Sequence, residues 1–133
     1  MIFRVAFFDP FKPDVIEVGD FEKDKVMELF ENVPWSEYLN KMETAKEGKI
    51  YHAPGLEVDN KENQNGLYFS PVQGGEWGIF YIRPKLVKRF FGLSEKMNNS
   101  YMTELWKQTE ADVMDCLQAL LENDLQFLED KFK

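Results

Sequence analysis

Apolar and polar positions along the chain change period several times, and each change predicts an element. "IFRVAFF" (residues 2–8) is dense in β-branched and aromatic residues and stops at Asp9-Pro10, which reads as a first strand ending in a turn. "VIEV" (15–18) supplies a short partner strand. Gly19-Asp20 then opens a helix, with Asp20 as its N-cap and Val26, Leu29, Phe30 and Val33 at helical spacing. Pro34 suits the first turn of a second helix, whose apolar stripe is Trp35, Leu39 and Met42 and which Gly48 ends. "KIYHAPGLEV" (49–58) returns to strand character, bent at Pro54-Gly55. Polar "DNKENQNG" (59–66) connects it to the next strand, with Asn65-Gly66 as a turn signal.

The densest pattern is "GLYFSPVQGGEWGIFYIRPK" (66–85), two aromatic-rich runs around Gly74-Gly75. A two-residue loop there sets Phe69 opposite Phe80, Leu67 opposite Ile82, Tyr68 opposite Tyr81 and Val72 opposite Trp77. One face of the hairpin then holds Leu67, Phe69, Phe80 and Ile82, a core face, and the other holds Tyr68, Ser70, Val72, Trp77, Ile79 and Tyr81. Pro71 conflicts with this register, because it falls at a hydrogen-bonded pair with Gly78 and has no N–H to give. A wider loop or an edge bulge would remove the conflict. The second face has two readings: a helix covers it, as is usual for aromatic residues in strands, or Tyr68, Trp77 and Tyr81 form an exposed patch that docks a partner.

Beyond Arg83-Pro84, "KLVKRFFGL" reads as a short helix stopped by Gly92, and "SEKMNNS" as a loop. Residues 101–132 read as one long helix, with Val113, Leu117, Leu120, Leu121, Leu125 and Leu128 along its buried side. The predicted class is α+β: an antiparallel sheet of four to five strands, a helical pair inserted after the first strands, and a long C-terminal helix packed on one face. No repeat or linker interrupts the chain, so residues 1–133 read as one domain.

Composition narrows the function. With 44% apolar and 15% aromatic residues the chain belongs to the folding class, and no run approaches the length of a membrane span. The N-terminus lacks a basic region and a cleavage site, which makes a cytoplasmic location the default. The single Cys116 excludes an internal disulfide. A net charge of −8 argues against nucleic-acid binding and favours encounter with a basic protein. The charge is uneven: residues 1–82 carry −7, 83–99 carry +4 and 100–133 carry −5. No phosphate-binding, metalloprotease, serine-hydrolase or paired-cysteine motif occurs.

Two groups remain as candidate chemistry. His52, the only histidine, lies near Glu57 and Asp59, two carboxylates at i, i+2 on one side of a strand. Cys116 sits among apolar helix positions and reads as a buried structural thiol. Along the last helix Glu104, Asp115, Glu122 and Glu129 form an acidic side flanked by Asp112; it is either a solvated face or a ridge for a basic partner, unless the basic residues from Arg83 onward pair with it internally.

These features lead to a small, acidic, non-catalytic protein-binding module, of which a bacterial toxin-neutralising (immunity-type) protein is one instance. Its expected partner-binding residues are Tyr68, Trp77, Tyr81, Asp112, Asp115 and Glu122, with no cofactor, metal, nucleic acid or membrane. The alternative is a small-molecule binder or hydrolase whose aromatic pocket (Tyr68, Trp77, Tyr81) uses His52, Glu57 or Asp59 as its polar group. A homo-oligomer joined through the second hairpin face is a third arrangement.

Overall fold

The structure is a computed structural model and describes residues 1–45, 48–89 and 94–133. Its elements, in chain order, are β1 (Phe3–Phe8), β2 (Ile16–Phe21), α1 (Lys23–Asn32), α2 (Trp35–Thr44), β3 (Gly55–Asn60), β4 (Gly66–Val72), β5 (Glu76–Arg89), β6 (Ser94–Gln108), α3 (Glu110–Leu121) and α4 (Leu125–Lys131). The class is α+β. The six strands form one antiparallel sheet in the order β2-β1-β3-β4-β5-β6, rather than the four or five expected.

All the helices pack on one side of the sheet. Val26 and Phe30 of α1, Val113, Cys116, Leu117 and Leu120 of α3, and Leu128 of α4 join Phe3, Val5, Leu56, Val58, Leu67, Phe69, Trp77, Ile79 and Tyr81 in a single buried cluster. Rings weld the layers together: Phe30 lies 5.7 Å from Phe69 and 5.8 Å from Trp77, and Trp35 of α2 lies 5.3 Å from Trp77. Edge-to-face and tilted pairs of this kind add stability beyond their burial. Among the described residues no helix is long and apolar enough to cross a membrane.

The hairpin register differs from the expected one by a single residue. Leu67 pairs with Tyr81, Tyr68 with Phe80, Phe69 with Ile79, and Val72 closes on Glu76. The loop is therefore Gln73-Gly74-Gly75, with Gly74 and Gly75 at φ 91° and 78°, where L-residues are strained. Because side chains alternate, a one-residue slip exchanges faces along one strand of the pair. Leu67 and Phe69 do face the core, but their companions are Trp77, Ile79 and Tyr81. Phe80 and Ile82 turn to the opposite face beside Tyr68. Pro71 explains the odd loop: with Val72–Glu76 as the closing pair, ladder alternation puts Pro71 where β5 asks for no N–H.

Further expectations differ from the structure. The stretch 101–108 is not helix but the second half of β6; α3 begins only at Glu110, behind a capping box in which Thr109 and Asp112 bond reciprocally. The C-terminal helix also breaks at Asn123, which adopts φ 60°, and restarts as α4 with Asp124 capping Phe127 N. Residues 85–89 and 94–100 are strand, not helix and loop; the rest of the expected short helix, 90–93, lies outside the described residues. Asp20 lies in β2 and caps nothing, since α1 starts at Lys23 behind Glu22. Gly48 falls beyond the end of α2 at Thr44; residues 46–47, which separate the two, lie outside the described residues.

Candidate functional site

With every helix on one side, the opposite face of the sheet has no described element across it. Its residues follow from register. Ile82 pairs with Met102 and Leu86 with Met97 across β5 and β6, and Phe80, paired with Glu104, shares the face with Tyr68. A bulge between Arg83 and Lys85 shifts the alternation, so that Leu86 and Met97 continue the row of Ile82 and Met102. Past Ile82 the β5–β6 pair extends beyond the end of β4 as a two-stranded arm. Leu86, Met97, Met102 and Trp106 are 56%, 48%, 52% and 50% exposed, values that place four large apolar side chains in water along one hairpin.

Aromatic rings continue this stripe across the sheet. Trp106 meets Phe80 at 5.3 Å, Phe80 meets Tyr68 at 5.5 Å, Tyr68 meets Phe8 at 5.0 Å, and Phe8 meets His52 at 5.5 Å. Two glycines let the rings lie flat. A Cβ on Gly55 would fall inside the Tyr68 ring, and one on Gly78 would come within 2.6 Å of Trp106. The rings are thus fixed by the backbone beneath them, a preorganised surface rather than a loose one.

A depression of about 370 Å³ opens at the β1–β4 end of the stripe, lined by Phe8, His52, Glu57, Tyr68, Phe80, Ile82 and Met102. The Asp9 carbonyl, which only accepts, lies 2.6 Å from His52 Nε2, so that nitrogen carries the proton and the imidazole is anchored. Beside the depression three carboxylates share one guanidinium. Glu17 takes Arg4 Nε and Nη2, Asp59 takes Nη1 at 2.6 Å, and Glu57 is left with a long 3.4 Å contact to the same Nη1. Burial, followed by the charge of Glu57, pushes the Asp59 carboxyl up to about 6 despite its contact with Arg4.

The expected site residues therefore divide. His52, Glu57 and Tyr68 do converge on one depression, with Asp59 at its border. Trp77 and Tyr81 do not: they are buried under the helices, the Tyr81 hydroxyl donating to Asn65 Oδ1 at 2.5 Å. Burial, with Glu129 adding to it, pushes the Tyr81 phenol up to about 12. Cys116 is buried in the helical layer, where desolvation raises its thiol to about 11, and so it is not brought to His52.

The acidic side of the last helix is also divided. Glu104 and Gln108 belong to β6. Glu129 holds the buried Arg83 at 3.1 Å, so the basic segment does pair internally at that point. Asp112 is tied to Thr109 and to Lys131 Nζ at 2.8 Å, and these bonds, that from Lys131 first, hold its carboxyl down at about 2. Asp115 on α3 and Glu122 at its C-cap remain exposed.

Of the residues of this face, the sequence pattern assigned Phe80 and Ile82 to the core and placed Leu86 and Trp106 in helices, and it did not single out Phe8, Met97 or Met102. The signal that would have found Phe80 and Ile82 is Pro71, whose incompatibility with an even loop fixes the odd register. Among the described residues no group of three or more His, Cys, Asp or Glu side chains is arranged to hold a metal ion. No protein-family model matches this chain, and neither the curated proteins nor the solved structures contain a match to it.

Proposed function

We propose that this protein is a non-catalytic binding module that docks a protein partner on the open face of its sheet. The observation that carries this reading is the continuous row Leu86, Met97, Ile82, Met102, Phe80 and Trp106, bordered by charged residues and crossed by no described element. Large contiguous exposed apolar patches mark interaction sites, and Trp, Tyr and Met are common anchors at interfaces. The net charge of −8 favours a basic partner. A toxin-neutralising, immunity-type role fits a small, acidic, aromatic-rich chain of this kind and is the instance we favour within the class.

Affinity capture from the native cell tests the reading. Wild-type protein should retain a stoichiometric partner. Met102→Glu, which sets a charge in the middle of the row, should lose it, while Asp115→Asn with Glu122→Gln should keep it. Loss only in the Asp115/Glu122 variant would move the site to α3.

A second reading rests on the convergence of His52, Glu57 and Tyr68 at the 370 Å³ depression, which has the size of a small-ligand site. On that reading His52→Ala and Glu57→Ala each abolish the biological activity. Activity retained in both removes it.

A further inference from the structure

The acidic balance of the open face points to what the partner inserts there. Among the described side chains, Glu17, Asp20, Glu57, Asp59 and Glu104 rise from this side against the cations Arg4 and Lys61. Lys61 is taken by Asp20 at 2.7 Å. Arg4 is engaged by Glu17 through two nitrogens and by Asp59 through the third. Glu57 and the exposed Glu104 remain, and of the two Glu57 is the half-buried one: its side chain is 23% exposed and, among the described residues, its cationic contact is the 3.4 Å approach to Arg4. A half-buried carboxylate with so weak a counter-charge has lost hydration without full compensation.

Its surroundings are those that favour a cation. Glu57 pairs across the ladder with Tyr68 and lines the depression with the rings of Phe8, Tyr68 and Phe80. The faces of such rings attract guanidinium and ammonium groups, more strongly where water is partly excluded. The imidazole of His52, anchored on the Asp9 carbonyl, closes one end, and the thioether of Met102 and the side chain of Ile82 complete the wall with apolar surface suited to the methylene stem of a long basic side chain.

We infer that the depression beside Glu57 is the subsite for an arginine or lysine side chain of a basic protein partner, with the cation between the Glu57 carboxylate and the Phe8–Tyr68–Phe80 rings and its stem against Met102 and Ile82. The inference rests on the binding-module reading and adds the chemistry of its anchor. Arginine is the better fit, since its planar guanidinium stacks on a ring while bonding a carboxylate in its own plane.

Methyl and aromatic NMR of the intact protein tests it, with N-acetyl-arginine amide as probe and its uncharged isostere N-acetyl-citrulline amide as control. The arginine probe should shift Met102 and Ile82 methyl and Tyr68 ring signals at millimolar concentrations. Citrulline on wild type, and the arginine probe on Glu57→Gln, should each bind about tenfold more weakly, a difference of about 1.4 kcal/mol. Equal binding of the two probes, shifts confined to α3, or no shift at all would overturn the proposal. So would shifts of the same methyls on simple concentration of the protein, which would make a second copy the occupant. Capture of a partner that depends on Met102 but is indifferent to Glu57→Gln would leave the binding module standing and remove only its cationic anchor.

Discussion

At the scale of single residues, Asp59 is the clearest case of a group held against its preference. Its folded-state carboxyl titrates at about 6, above the ordinary value near 4 of an unfolded chain. Between these values the folded protein holds a proton that the unfolded chain has released. The contribution of Asp59 to stability is therefore complete below about pH 4 and is lost as pH rises through about 6. Asp59→Asn should flatten the stability profile over that window and leave the protein more stable than wild type at pH 7. Urea denaturation at a series of pH values measures it; a variant less stable than wild type at pH 7 would show that the contact with Arg4 outweighs burial. Glu57 and Asp59 could be read from sequence because alternate residues along a strand share a face, and His52 because it lies only a few residues before that strand. Phe8, Phe80 and Met102 could not, because their proximity depends on which strands pair and in what register.

At the scale of elements, the β4–β5 hairpin shows how one residue in a loop decides a molecular surface. Both strands and the Gly-Gly turn are legible in the sequence, and the parity of the loop is not, apart from the warning of Pro71. The observed register buries Ile79 and turns Ile82 to the open face, so Ile79→Ala should cost about 2–5 kcal/mol and Ile82→Ala distinctly less. Urea denaturation measures both, and a larger loss for Ile82→Ala than for Ile79→Ala would contradict the register.

The C-terminal half failed differently. "YMTELWKQ" carries apolar residues that satisfy a helical period as well as an alternating one, and the deciding signal is Thr109 with Asp112, a capping box that starts a helix at 110. Asp112→Ala removes that box and the bond to Lys131. It should cost about 1–2 kcal/mol, and because the Asp112 carboxyl sits at about 2 in the folded state, the loss should be present above pH 4 and fade as pH falls toward 2. Equal denaturation midpoints at pH 7 would show that the box contributes nothing.

At the scale of the whole molecule, the architecture is asymmetric. Among the described residues, one face of a six-stranded sheet carries four helices and the core, and the other carries a ribbon of exposed Met and Trp with half-buried Phe and Tyr. The fold class was legible because hydrophobic period and turn residues are local properties. The openness of the second face was not, because it depends on where every helix packs. We propose that this face is open in the isolated chain and closes only against a partner. Methionine oxidation read by mass spectrometry tests both halves. In the isolated protein Met97 and Met102 should oxidise faster than Met27 and Met114, which pack against the core. In the complex recovered from the native cell Met102 should become protected while Met1 stays reactive. A Met102 as slow as Met114 in dilute isolated protein, or one equally reactive with and without the bound partner, would contradict the account.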